Sequence, residues 1–276
     1  MTRGIGAALL LLLLMGQAIA APPKRIMSLT VCTDELLMDL APPSRIASIS
    51  YLSREKAALK LWPEAARLPV NHNSAEEIVE QKPDLVLTLV YASTELRTLL
   101  EKSGIRILEV PQAVNFAQIR SVTRMVGNAV GEQERAELLI ARMDSTLRDL
   151  AATGSKQVIR VASWGGGGFV PGSDTLFDAV LTAAGGRNIT AHDTYYDVES
   201  LIAARPDILA FADDYIDEPS LRRDQNDHPL LLRLFANRRI VYPAAYAGCG
   251  LPQSADAARA LRSELLQAMA KPGGVP

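Results

Sequence analysis

Short apolar runs alternate with helical periodicities along most of this chain. "RIMSLT" (25–30), "RIASIS" (45–50), "DLVLTLV" (84–90) and "IRILEV" (105–110) are near-continuously apolar, as strands buried on both faces of a parallel sheet are. Between them, "TDELLMDL", "AEEIVEQK" and "STELRTLLEKSG" carry apolar residues at helical spacing. Thr33 and Asp34 are candidate N-caps, Pro83 stops one helix and launches the next strand, and Gly104 is a C-terminal stop. Strands and helices in alternation predict a parallel sheet flanked by helices.

The stretch "EQERAELLIARMDSTLRDL" (132–150) breaks this rhythm. Ala136, Leu139, Ile140, Met143, Leu147 and Leu150 recur at helical spacing with no Gly or Pro, which at roughly 1.5 Å per residue predicts a helix of about 30 Å. Beyond it the alternation restarts with "VIRVAS" (158–163), "DTLFDAVLTAAGG", "VESLIAAR", "DILAF", "PLLLRLF" and "RIVYP". The expected fold class is therefore α/β, with two lobes of parallel-rich sheet bridged by a single long α-helix. The expected division is an N-terminal lobe at 21–115, a linking helical segment at 116–154 and a C-terminal lobe at 155–276.

The two halves also share a sentence. "AEEIVEQKPDLVL" (75–87) and "VESLIAARPDILA" (198–210), aligned on Pro83 and Pro206, match at Glu76/Glu199, Val79/Ile202, Lys82/Arg205 and Asp84/Asp207, all at an offset of 123 residues. Each copy reads as the helix-to-strand step of one lobe. Each glutamate falls in a first helical turn, where the helix dipole favours a carboxylate.

Residues 1–20 stand outside this pattern. Arg3 precedes an apolar run at 5–15, and "AIA" at 18–20 is a small-x-small cleavage signal, so a secretory signal peptide cut after Ala20 is expected, and with it a periplasmic protein. The run is shorter than the roughly 20 residues a membrane span needs. No cysteine follows it, so the pattern for lipid attachment is missing. The formal charge is −2, one unit more negative once Arg3 is removed, which speaks against nucleic acid or an anionic membrane as partner because both demand a basic face. Two cysteines, Cys32 and Cys249, are too few for a disulfide-built scaffold, although export permits one bridge. Cys32 follows the first strand of one lobe and Cys249 the last strand of the other. An interlobe disulfide and two free thiols facing a ligand are both open readings.

Candidate chemistry is sparse. "SWGGGGFVPG" (163–172) has neither a G-K-[ST] ending nor a G-x-G-x-x-G register, so it is a close-approach loop beside a ligand rather than a phosphate cradle. His72, His192 and His228 lack the spacing that puts two imidazoles on one helix face, and no metal site is expected. His228, before Pro229 at a helix start, reads as structural. No nucleophile elbow occurs and no acid, base and nucleophile set can be assembled, so an enzyme is not expected. With aromatic residues at only 5%, their positions carry information: Tyr51, Tyr91, Trp164 and Tyr246 lie at or just past strand C-termini, the edge where open α/β sheets bind ligands. Trp62, before Pro63, reads as a packing residue.

Together, "RIMSLTVCTDELLMDL", "EEIVEQKPDLVL", "GIRILEVP", "GSDTLFDAVLTAAGGRNI" and "VESLIAARPDILA" resemble the solute-binding proteins of ABC importers for cobalamin, ferric siderophores and haem, from about residue 24 to the C-terminus. The resemblance implies two Rossmann-like lobes joined by one long helix. It implies a monomer without a cofactor of its own, holding a bulky metal chelate, ferric siderophore or corrinoid, between the lobes and delivering it to an ABC permease dimer in the inner membrane. In such proteins one surface glutamate on each lobe docks on permease arginines, the role implied for Glu76 and Glu199. Tyr51 and Trp164 fall where cobalamin-binding relatives place aromatics. The aromatic those relatives carry at Val70 is missing and polar Asn71 and His72 follow, so the expected ligand-facing set is Tyr51, Asn71, His72, Tyr91, Trp164 and Tyr246. A haem receptor with an axial Tyr or His, a metal-ion receptor with converging His and carboxylates, and an enzyme on a duplicated scaffold are the alternatives.

Overall fold

A computed structural model describes residues 21–55, 62–90, 93–153, 158–212, 228–242 and 248–271. The expected signal peptide at 1–20 lies outside the described residues. The first half folds as β1 (Ile26–Ser28), α1 (Val31–Leu40), β2 (Ile46–Ser50), β3 (Val70–Asn71), α2 (Ala75–Gln81), β4 (Leu85–Leu89), α3 (Thr94–Lys102) and β5 (Arg106–Val110). Its five strands form one parallel sheet in the order β3-β2-β1-β4-β5.

The second half folds as β6 (Ile159–Ser163), β7 (Phe169–Val170), α6 (Leu176–Ala183), β8 (Gly186–Asn188), β9 (Thr194–Tyr195), α7 (Val198–Ala203), β10 (Ile208–Ala212), α8 (Pro229–Leu234), β11 (Arg239–Tyr242) and α9 (Ser254–Ala270). Four of its strands form a second parallel sheet, β11-β10-β6-β8, and β7 pairs with β9 as a separate antiparallel ribbon. Among the described residues no strand pairing joins the two large sheets, as two lobes require.

Between them lie two helices, α4 (Phe116–Val130) and α5 (Gln133–Ala152); α5 is the long helix expected over 132–150, and α4 precedes it in the linking segment. Gly131, at φ +76°, adopts the left-handed conformation that ends α4, and its N–H bonds the Asn128 carbonyl. A correction falls on α1. Its N-cap is Thr30, so Thr33 and Asp34 lie inside the first turn, because buried polar partners claim their side chains. Ser28 Oγ donates to Thr33 Oγ1 at 2.7 Å, and Asp34 accepts from the Ser50 N–H at 2.9 Å and from Ser53 Oγ at 2.6 Å.

The duplicated block has a structural meaning that excludes its glutamates. Lys82 and Arg205 end α2 and α7 in the left-handed region, at φ +48° and +49°. Asp84 then accepts from the N–H groups of Lys24 and Arg25, and Asp207 from that of Arg160. Arg25 and Arg160 in turn donate to the helix-end carbonyls of Gln81 and Ala204, at 2.8 and 2.9 Å. The basic residue, the proline and the aspartate stop a helix and start a strand in each lobe.

Alternating strand residues face opposite ways. Ile26, Leu85 and Leu87 in the first sheet, and Ile159, Val161, Ile208 and Ala210 in the second, feed one hydrophobic core that also takes in α1, α4, α5, α6 and α9. Met27 and Val86 pack on the opposite face with Ile78 and Leu100, while Ala162, Leu209 and Phe211 pack with Trp164 and Leu231. A continuous core and one α/β layer on each side hold the strand ends in place. Among the described residues no helix is long and apolar enough to cross a membrane.

Candidate ligand-binding site

Parallel strands deliver their C-terminal ends to one edge, where side chains are free to meet a ligand. Ser50 of β2 lies opposite Asn71 of β3, so the next residues outward, Tyr51 and His72, come together. Their ring centroids are 5.1 Å apart with planes inclined by 26°. Tyr51 is 43% exposed and the His72 side chain 64%. Glu77 of α2 accepts from the His72 N–H at 2.7 Å and lies 3.0 Å from His72 Nδ1. These bonds hold the Glu77 carboxyl below the usual range. A carboxylate only accepts, so Nδ1 is the donor in this contact.

The second lobe builds a comparable pair differently. The glycine run after β6 folds into a turn: the Gly165 N–H bonds the Phe169 carbonyl at 2.8 Å, with Gly167 and Gly168 at φ +75° and +80°. The turn returns the chain as β7 and sets Phe169 opposite Tyr195 on β9, with rings 5.4 Å apart. Tyr195 is 73% exposed.

Two expected ligand contacts are corrected. Trp164 is 1% exposed and packed among Val170, Val198, Leu201 and Phe211, its backbone N–H extending the sheet by a bond to the Ala210 carbonyl. Asn71 is fully buried and donates to the Ser28 carbonyl at 3.0 Å and to Ser48 Oγ at 3.1 Å, stitching β3 to β1 across β2. Tyr91 and Tyr246 lie outside the described residues. Trp62 is buried, as its packing reading requires, and His228 caps α8 by accepting the Leu230 N–H.

Tyr195 escaped the sequence reading although a signal existed. Extended upstream at the same offset, the duplicated block aligns His72 with Tyr195 and Ser74 with Asp197. Ser74 and Asp197 are the N-caps of α2 and α7, accepting from the N–H groups of Glu77 and Ser200. Each exposed ring thus stands four residues before a matched glutamate. Glu76 and Glu199 are each the second residue of their helix and exposed, and no hydrogen bond or ion pair to either occurs among the described residues.

The sequence model of the family described as periplasmic binding protein matches residues 26–209. The chain belongs to the periplasmic binding protein family. It is 26% identical, over 204 residues, to the uncharacterized ABC transporter substrate-binding lipoprotein YvrC of Bacillus subtilis strain 168, a match covering 69% of this chain and 64% of that relative's length. The periplasmic haem-binding protein HutB of Vibrio cholerae superposes with a TM-score of 0.74 at 17% identity, over 87% of this chain and 97% of HutB. The periplasmic vitamin B12-binding protein BtuF of Vibrio cholerae superposes with a TM-score of 0.67 at 18% identity, over 91% of this chain and 99% of BtuF. At those identities the likeness shows the fold.

This periplasmic binding protein also carries a covalent seam between its lobes. Cys32 and Cys249 are bonded, with an S–S distance of 2.04 Å and a Cα–Cα distance of 5.2 Å, which decides for the bridge over free thiols. Cys32, Glu35 and Asp39 share one face of α1 by helical spacing. The Asp39 carboxylate accepts from the Gln253 amide, its carbonyl accepts from Arg135, and a Cβ added at Gly250 would lie 2.1 Å from the Ala113 carbonyl oxygen. Glu35 is 2% exposed with Oε2 unpartnered, and burial, aided by Asp34 and Asp39, pushes its carboxyl up to about 8. Burial likewise pushes Asp34 up to about 7, against the hydrogen bonds it accepts.

Proposed function

We propose that this protein is the substrate-binding component of an ABC importer, working in the periplasm, that captures a bulky metal chelate and delivers it to a permease dimer. It acts by binding alone. The Tyr51–His72 pair and the Phe169–Tyr195 pair supply two aromatic walls, one per lobe, at the strand-end edges. Haem and vitamin B12, the ligands in the names of structural neighbours, fit such walls.

The observation that carries the delivery half of this reading is the pair Glu76 and Glu199. Both carboxylates occupy the same place on equivalent helices, both are exposed, and the internal hydrogen bonding of the duplicated block leaves them out. Two matched carboxylates suit a receptor face built from two related permease subunits, each presenting arginine.

The test is uptake into vesicles reconstituted with the permease, run beside cargo binding by the isolated receptor. The double variant Glu76→Ala/Glu199→Ala retains fold and binding, since exposed substitutions change stability by no more than about 0.5 kcal/mol. Its uptake collapses, because removing a carboxylate from an arginine pair at an interface costs about 2–5 kcal/mol. Wild-type uptake by the double variant would leave the glutamates as helix-start carboxylates and defeat the delivery reading.

A further inference from the structure

The Tyr51–His72 pair is exposed, yet neither ring is left to settle its own position. Glu77 takes both the N–H and the ring nitrogen of His72. Tyr51 opens a single 3-10 turn, Tyr51–Arg54, and a buried carboxyl of α1 holds that turn on both flanks of the ring. Asp34 Oδ2 accepts from the N–H of Ser50, immediately before Tyr51, at 2.9 Å, and from Oγ of Ser53, two residues after it, at 2.6 Å. Asp34, Ser50 and Ser53 are all buried. Arg54 then donates to the Leu68 carbonyl at 2.5 Å, in the segment leading into β3, the strand that His72 follows.

A carboxyl is a costly choice at this position. Burial pushes it up to about 7, and an apolar side chain would occupy the same place on α1 without that cost. What an apolar side chain cannot do is accept two hydrogen bonds on one oxygen beside an exposed ring. A chain departs from the local rule in this way where a site needs it. The helix that carries Asp34 is itself anchored, because Cys32, two residues earlier, is bonded to Cys249 of the second lobe. The element that fixes the Tyr51 turn is thereby fixed to the opposite lobe.

We propose that Asp34 is a positioning residue for cargo binding: it acts through the 51–54 turn to hold the Tyr51 ring against His72, so that the first-lobe wall is formed before cargo arrives. This rests on the proposed function, in which that pair meets the cargo. A ring ordered during folding binds more tightly than a mobile one, since its freedom is not lost again on binding.

Fluorine NMR of the intact protein carrying 3-fluorotyrosine, with Tyr51 assigned by Tyr51→Phe, reads the ring without cargo, and His72→Ala supplies the reference for an unstacked ring. Asp34→Leu moves the Tyr51 resonance toward that reference. Asp34→Asn, whose amide oxygen accepts the same two bonds, moves it back. Ferric protoporphyrin IX and cyanocobalamin are then titrated separately. Asp34→Leu weakens the probe that binds by about 2–12-fold, the factor for ordering one side chain at a binding surface, and Asp34→Asn recovers most of the loss. In a Tyr51→Ala background the same Asp34→Leu change costs no further affinity, because the residue acts through that ring; a merely structural role produces no such coupling. If Asp34→Leu does not fold, Ser53→Ala, which removes one of the two donors, gives the same directions at smaller size. A Tyr51 resonance that stays in place in the folded variant, or an affinity loss of equal size with and without the Tyr51 ring, overturns the inference and leaves the receptor reading intact. Failure of both probes to bind defeats the cargo half of the proposed function instead, and the fluorine spectra still decide whether Asp34 positions the ring.

Discussion

Removing the Cys32–Cys249 bond tests how much of this fold depends on tying its lobes together. The bond spans a sequence separation of 217 residues, from α1 of the first lobe to the segment entering α9 of the second. For a loop of that length the chain-entropy relation gives about 5 kcal/mol at 25 °C, near the top of the roughly 2–5 kcal/mol that removing a native disulfide costs. Cys32→Ala/Cys249→Ala is therefore expected to lose about 2–5 kcal/mol while still folding. The hydrophobic core continues from α1 through α4 and α5 to α9, and the Gln253–Asp39 and Arg135–Asp39 bonds persist without the sulfurs. Urea unfolding of the oxidised protein and the double variant, followed by tryptophan fluorescence and far-UV circular dichroism together, measures the loss as a shift in midpoint. Coincident midpoints would refute the reasoning, because the long loop would then contribute nothing to the unfolded chain's entropy. A loss confined to one probe would instead show the lobes unfolding separately.

Other expectations concern charge and rings. Glu35 ionises near 4.5 when unfolded and about 8 when folded, and Asp34 near 3.8 and about 7. The folded state therefore holds the extra protons between those values, and the stability linked to them is full below the unfolded pKa and lost as pH rises through the folded one. The urea midpoint falls from pH 5 to pH 8.5, and Glu35→Gln shrinks that fall; an equal fall in both proteins would contradict the assignment. Tyr195→Ala weakens cargo binding by about 1–3 kcal/mol, a range borrowed from stacking on aromatic rings, with an unchanged thermal midpoint. Trp164→Ala does the reverse in kind, costing about 3–5 kcal/mol of stability as a core truncation, and calorimetry of both variants separates wall from core.

The alternation of strand and helix, the duplication and the division into two lobes were legible in the order of residues, because each is written in local chemistry. Apolar runs and helical spacing act within one element, and a basic residue, a proline and an aspartate stop a helix and start a strand wherever they occur. Thr33 and Asp34 misled because a cap and a buried hydrogen-bond partner use the same residue types; only the nearness of Ser28, Ser50 and Ser53 separates the two. The long helix expected over 132–150 is α5, and Gly131, in the left-handed conformation, ends the helix before it.

Which side chains meet a ligand was decided by tertiary structure. Trp164 and Tyr51 both follow strands, yet one is buried among Val170, Val198, Leu201 and Phe211 and the other stacks in the open, a difference set by what packs around each strand end. Asn71 and His72 are adjacent in sequence, and successive residues point to opposite sides, so one stitches the sheet and the other faces out. The register of β2 on β3 brings Tyr51 to His72, and the pairing of β7 with β9 brings Phe169 to Tyr195. Sequence determined the elements because propensity and periodicity act over a few residues; the site awaited the fold because partners such as Cys32 and Cys249, 217 residues apart, meet only when the chain has closed.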